Sequence, residues 1–232
     1  MITIDFWSDY ICPYCYMGIT ELSNAVTSLG LENRIKVVHR AFQIDPLASK
    51  NDTASMIDVF AGKCGISRMN AEIMIQGIIR RADSLGLDFS YRHLKNQNTY
   101  DIHRLSKYAD ERGRGTVFSE LVYSAFFEEN RMIAHNDVLL GIAEDAGLER
   151  SGAEKILLNE NLYDQMVRRD IQQARSMQIQ GVPCFVIDKR YVINGAQYQK
   201  TFEDVLKKAA RYDRTRSIAV CAQTSPPVQC RI

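Results

Sequence analysis

Ile2-Thr3-Ile4-Asp5-Phe6-Trp7-Ser8-Asp9-Tyr10-Ile11-Cys12-Pro13-Tyr14-Cys15 opens the chain, and its reading decides the fold. Ile2, Ile4 and Phe6 alternate as on a half-buried strand. After the second cysteine the period changes, with Ile19, Leu22, Ala25, Val26 and Leu29 recurring at helical spacing. The handover from strand to helix therefore falls at Cys12-Pro13-Tyr14-Cys15. Pro13 suits a first helical turn, because its missing N–H would have no intrahelical partner there. Two thiols at a helix N-terminus form a redox pair with a physical basis. The free N–H groups and the positive end of the helix dipole favour a thiolate, and the thiolate is the attacking form. Cys12, at the cap, is the candidate nucleophile. Cys15, one turn deeper, is the candidate resolving thiol and is expected to be the more buried.

Outward from this stretch, Arg34 to Phe42 reads as a second strand and Gln43-Ile44-Asp45-Pro46 as a turn, giving β-α-β. From about Ser55 to Met177 the pattern is helical. The candidate helices are Met56 to Cys64, Arg68 to Leu85, Tyr100 to Arg112, Gly115 to Glu128, Asn136 to Ala146 and Ala153 to Met177. Asn136 or Asp137 is expected to cap the fifth of these, with Gly147 ending it. Gly181-Val182-Pro183-Cys184-Phe185-Val186-Ile187 returns to strand, then Asp188-Lys189-Arg190 turns into Tyr191-Val192-Ile193 and a last helix covers about Thr201 to Tyr212. The pattern predicts an α/β, thioredoxin-like fold with a large inserted α-helical domain. Residues 1–50 and 178–212 make the discontinuous thioredoxin-like domain, 51–177 the helical insert, and 213–232 a tail carrying Cys221 and Cys230.

Composition narrows the partners. The 232 residues carry a formal net charge of +1, which offers no electrostatic footprint for nucleic acid or a membrane surface. No run approaches the roughly 18 apolar residues of a membrane span. The N-terminus lacks the basic start and apolar run of a secretory leader, which predicts a cytoplasmic location. In a reducing compartment the six cysteines read as catalytic or metal-binding more readily than as a disulfide framework. Zinc would want a second Cys or His pair at matching spacing, and none is present, so no metal is expected.

Several of the remaining candidates carry more than one reading. Cys184 is either a third redox thiol, or a soft ligand for stray metal, or a small apolar residue in the core; alternation along Cys184-Phe185-Val186 leaves its direction open. Cys221 and Cys230 are an auxiliary dithiol that exchanges electrons with the main pair, or a clip in the tail, or two independent thiols. Cys64 reads as core. Asp5 and Asp9 are candidates to relay a proton to Cys15, against a polar pocket for Asp5 and a capping role for Asp9. His103 reads as a structural histidine near the cleft.

Cys12-Pro-Tyr-Cys-Tyr-Met-Gly18 resembles the CPWCYxG signature of the FrnE-like branch of the DsbA-family thiol:disulfide oxidoreductases. Phe42 with Pro46 resembles its RPFxLxP stretch, and Asn98-Thr-Tyr-Asp-Ile-His-Arg-Leu105 its NTxxAHRL helix start. Gly181-Val-Pro-Cys-Phe-Val-Ile187 and Asn194-Gly-Ala-Gln197 resemble GVPxFVI and SGAQ. The resemblance implies dithiol–disulfide exchange on protein or small-molecule thiols and disulfides, with disulfide isomerase activity within its range. It implies a cis bond at Val182-Pro183, placing both residues beside the cysteines and against substrate, together with Pro13 and Tyr14. No resident cofactor follows, although Pro13-Tyr14 is also the dipeptide of many glutaredoxins and admits glutathione as co-substrate. The chain is expected to be a monomer or a homodimer. The competing enzyme is a glutathione-dependent isomerase or transferase of the 2-hydroxychromene-2-carboxylate isomerase type, whose members typically carry Ser at the first cysteine position. A non-catalytic chaperone or zinc-binding module using the cleft between domains is a third reading.

Overall fold

A computed structural model describes residues 1–52 and 54–212. β1 (Ile2–Ser8) leads into α1 (Pro13–Ser28) and then β2 (Ile35–Ala41), which pairs parallel to β1 with Ile4 beside Val37 and Phe6 beside His39. β3 (Cys184–Ile187) and β4 (Tyr191–Asn194) form a hairpin. β3 runs antiparallel to β1, with Phe6 opposite Phe185 and Trp7 opposite Cys184. The order β2-β1-β3-β4 puts two strands far apart in sequence at the centre of the sheet. Between β2 and β3 come α2 (Met56–Cys64), α3 (Arg68–Asp83), α4 (Tyr100–Glu111), α5 (Gly115–Phe127), α6 (Asn136–Asp145), α7 (Arg150–Leu158) and α8 (Asp164–Ser176); α9 (Gln199–Tyr212) follows the hairpin. The expected thioredoxin-like order, with helices filling the interval, is what the chain adopts.

Three expectations need correcting. β1 is not half-buried, since Asp5 and Trp7 are covered as well as Ile4 and Phe6. A central strand with helices on both faces has no solvated side. The helix expected over Ala153 to Met177 is two helices. Asn159 breaks it, its side chain accepting from the Asn161 N–H at 3.1 Å, and Tyr163 adopts the left-handed conformation at φ 62°. Buried Arg104 of α4 holds the break open, donating to the carbonyls of Ile156, Asn159 and Leu162 that a continuing helix would have used itself. Finally, α6 starts at Asn136 with His135 as its cap and no side-chain cap bond, so neither Asn136 nor Asp137 caps it.

The sheet separates two packed layers. On one face, Ile4, Phe6 and Phe185 join Cys15 and Met17 of α1, Phe202 of α9, and Ile102, Tyr123 and Phe126 of the helical block in one continuous core. Phe6 stacks on Phe185 with ring centroids 4.5 Å apart. Full burial of such a ring is worth about 1.5–3 kcal/mol. On the other face, Trp7, Cys184 and Val186 pack with Ala174 of α8. Trp7 donates its indole N–H to the Asp170 carbonyl at 3.2 Å. Among the described residues no helix is long and apolar enough to cross a membrane.

Candidate active site

The strand-to-helix handover places Cys12 as the N-cap of α1, in extended conformation at φ −92° and ψ 112°, with Pro13 starting the helix. Its carbonyl accepts from the Cys15 N–H at 3.0 Å, and its own N–H donates to the Asp9 carbonyl at 3.1 Å. These bonds fix the turn from β1 into α1. Cys12 and Cys15 are both free thiols, exposed by 1% and 0%. The expected contrast in burial is therefore absent. A loop from the far end of the chain covers Cys12: the Val182-Pro183 bond is cis, and Cys12 Sγ lies 3.7 Å from the Val182 carbonyl oxygen.

Gly18 makes this approach feasible. A Cβ at that position would sit 3.2 Å from both Phe185 Cζ and Pro183 Cγ. The glycine one turn beyond the cysteines is thus the seat of the proline loop on α1.

The electrostatics distinguish the two thiols' surroundings. The Cys15 thiol is pushed well above the usual cysteine range, first by burial, then by its hydrogen bond to and the charge of Cys12. The Asp9 backbone hydrogen-bonds to its sulfur and offsets part of this, while the Asp9 carboxylate adds to it. The Tyr14 and Tyr91 hydroxyls are pushed up by burial and then by the charge at Cys12. Tyr123 of α5 is also raised, mainly by burial and next by the charge at Cys15. Ile11, Pro13, Tyr14, Ile44, Phe60 and Tyr91 line an apolar cleft between the motif and the helical block.

The structure separates the other candidates. Cys184 is buried in the Trp7 cluster on the opposite face of the sheet, because its register opposite Trp7 turns it away from Cys12. Burial alone pushes its thiol to about 12, so it is a small core residue and neither a redox thiol nor a ligand of this site. Asp5 also lies on that far face, its carboxylate 2.7 Å from Arg40, and cannot relay a proton to Cys15. Asp9 stays at the site: fully buried, it accepts from the Ile44 N–H at 2.6 Å. His103 is buried beside it, its Nε2 3.0 Å from the Phe42 carbonyl. Cys64 is half-buried against the core. Cys221 and Cys230 lie outside the described residues.

Sequence reasoning missed Tyr91, Tyr123 and Phe60. None sits in a motif: Phe60 and Tyr91 meet Pro13 and Tyr14 only in the folded cleft, and Tyr123 joins the core only through the packing of the helical block.

The profile of the DSBA-like thioredoxin domain family matches residues 3–207. In its fold the chain is similar to the probable DsbA oxidoreductase of Streptomyces coelicolor, 29% identical, with 98% of this chain and 97% of that one covered at a TM-score of 0.87. A 2-hydroxychromene-2-carboxylate isomerase is similar at 17% identity, 93% and 100% coverage and a TM-score of 0.70. The cytosolic disulfide reductase DsbM of Pseudomonas aeruginosa, whose structure was solved with glutathione, is similar at 15% identity, 90% and 99% coverage and a TM-score of 0.63. At these two identities the likeness speaks to the fold alone.

Proposed function

From the premise that the chain belongs to the DSBA-like thioredoxin domain family, we propose that it is a thiol:disulfide oxidoreductase with Cys12 as nucleophile and Cys15 as resolving thiol. The observation that carries the reading is Cys12 Sγ at the cap of α1, 3.7 Å from the carbonyl that precedes cis-Pro183. A disulfide substrate is attacked at one sulfur by the Cys12 thiolate, forming a mixed disulfide and releasing the other half as a thiolate. Cys15 then loses its proton and attacks Cys12 Sγ, releasing the second half as a thiol. The enzyme dithiol is oxidised by two electrons and the substrate disulfide reduced by two. Run backwards, the same steps oxidise a substrate dithiol. Val182 offers its backbone to an extended substrate segment, with Pro13, Tyr14 and Pro183 shaping the entrance.

The likeness in fold to a cytosolic disulfide reductase supports work in the cytoplasm. Glutathione is the proposed reductant, supported by the Pro13-Tyr14 dipeptide and by the glutathione in the DsbM structure. The glutathione-dependent isomerase reading is less well supported, because Cys12 stands where those relatives typically carry Ser. Insulin reduction, followed with wild type and Cys12→Ser, tests the proposal. Turnover in wild type and none in the variant supports it; equal turnover in both refutes it.

A further inference from the structure

The residues on either side of Cys12, Ile11 and Pro13, line the apolar cleft together with Tyr14. The cleft therefore adjoins the attacking cysteine. Its other walls include Met56 and Phe60 of α2 and Ile78 of α3. A substrate cysteine whose sulfur meets Cys12 brings its neighbouring side chains to this cleft.

Besides tyrosine hydroxyls, the polar groups of the lining belong to Lys63 and Asn96. Lys63 is committed elsewhere, its Nζ donating to the Ile44 carbonyl at 3.1 Å and lying 3.4 Å from Asp45 Oδ2. Asn96 is 3% exposed. Its backbone N–H donates to the Ala54 carbonyl at 3.0 Å, and the Met56 N–H donates to the Leu94 carbonyl at 3.0 Å, so the chain is fixed on both sides. Its side-chain Nδ2 donates to Asp45 Oδ2 at 2.9 Å and to Asp52 Oδ2 at 3.1 Å. These two carboxylates set the amide's orientation, because an oxygen turned toward them would meet acceptors alone. Oδ1 is the atom left over, buried and without a hydrogen-bond partner. An amide oxygen kept unpaired out of water costs free energy, which a donor arriving with a substrate recovers.

We infer that Asn96 selects the substrate: the cleft takes an aromatic side chain that ends in a neutral hydrogen-bond donor, tyrosine or tryptophan, beside the reacting cysteine, and Asn96 Oδ1 accepts from its O–H or N–H. These two side chains join a large apolar body to a donor at the far edge. Phenylalanine fills the same walls and leaves the oxygen unpaired. Lysine reaches the oxygen only by carrying a charge between apolar walls, which is costly. Serine and threonine have too little apolar body to fill the cleft. The inference rests on the proposed exchange reaction and names its substrate class, with Asn96 as a specificity-determining residue.

The test uses symmetrical peptide disulfides of the form Ala-X-Cys-X-Ala, with X as tyrosine, phenylalanine, O-methyltyrosine or lysine. Each is mixed with pre-reduced enzyme, and the second-order rate constant of peptide thiol release is read by chromatography. In wild type the tyrosine peptide should react about five- to tenfold faster than the phenylalanine peptide, the equivalent of one net hydrogen bond. O-Methyltyrosine, which keeps the ring and loses the donor, should do no better than phenylalanine. In Asn96→Leu the tyrosine-to-phenylalanine ratio should fall to within about twofold of one. Each ratio is internal to one preparation, so a partly unfolded variant does not distort it, and the O-methyltyrosine arm stands on wild type alone. Tyrosine and phenylalanine peptides within twofold of each other in wild type overturn the inference and leave the exchange chemistry standing. So does a tyrosine preference that persists in Asn96→Leu, or a lysine peptide that outruns tyrosine. No release from any peptide by wild type overturns the exchange reading as well.

Discussion

The two faces of the sheet hold the same residue types and use them differently. On the α1 face, Cys12, Cys15 and Asp9 sit with one sulfur held against a carbonyl and one carboxylate oxygen unpartnered. On the α8 face, Cys184 is packed under Trp7, and Asp5 and Asp170 are held by Arg40 and Lys107. Asp170 alone receives the Ala41 N–H, Arg40 and Lys107. One face leaves its groups short of partners, and the other satisfies them. The difference lies in what surrounds a cysteine or an aspartate, since Asp5 and Asp9 are near neighbours in sequence and only Asp5 is held by an ion pair to Arg40.

The sharpest way to break this comparison is to swap cysteines across it. Cys12→Ser should abolish disulfide exchange, measured by insulin reduction, whereas Cys184→Ala should leave the rate within about twofold and only lower stability, by about 1–2 kcal/mol for a small cavity. Equal losses from both would erase the distinction between the faces. Next in size is the ion cluster. Asp170→Ala takes the paired carboxylate from Lys107 and leaves Arg40 with Asp5 alone, and should cost about 3–5 kcal/mol in urea unfolding, as broken buried pairs do. A loss below about 1 kcal/mol would mean that the cluster is not a structural anchor.

Gly18→Ala probes the contact between the faces' shared strand and the redox helix. The added methyl meets Phe185 and Pro183 at 3.2 Å, so overpacking of about 1–3 kcal/mol is expected, together with slower exchange as the Val182 carbonyl moves from Cys12. Unchanged exchange and stability would show that the loop has room to spare.

The smallest effects concern pH. Burial raises the Asp110 carboxyl to about 6, so the folded state binds a proton that the unfolded chain releases, and stability falls as pH rises from about 4 to about 6. Buried His39, lowered to about 3, acts in the opposite sense: the unfolded chain takes up the proton first, and stability falls as pH drops from about 6.5 to about 3. Asp110→Asn should remove the first slope and His39→Gln the second, each by about 1–2 kcal/mol after allowance for solvent, in urea midpoints between pH 4 and 7. Parallel pH profiles in wild type and both variants would contradict the burial argument.

Much of the site could be read before the fold was known. The Cys12-Pro13-Tyr14-Cys15 motif states its own chemistry, because helix initiation is local and Pro13 marks its start. Gly18 and Val182-Pro183 were legible as motif residues, although only their contact explains why one position must be glycine. The break at Asn159 was hidden, since its cause is Arg104 on another helix taking the carbonyls that a continuous helix would use. Tyr91 and Tyr123 carried no signal at all.

By itself, then, the sequence determined the order of elements and the cysteine pair at the helix start, which rest on local periodicity, turn chemistry and spacing, while the loop that meets the pair was legible through the family resemblance. The tertiary structure alone decided which cysteine and which aspartate share the site. A strand's residues alternate between faces, so the register of β3 on β1 turns Cys184 away, and Arg40 draws Asp5 to that same side. Asp9, past the end of the strand, escapes the alternation and stays with Cys15.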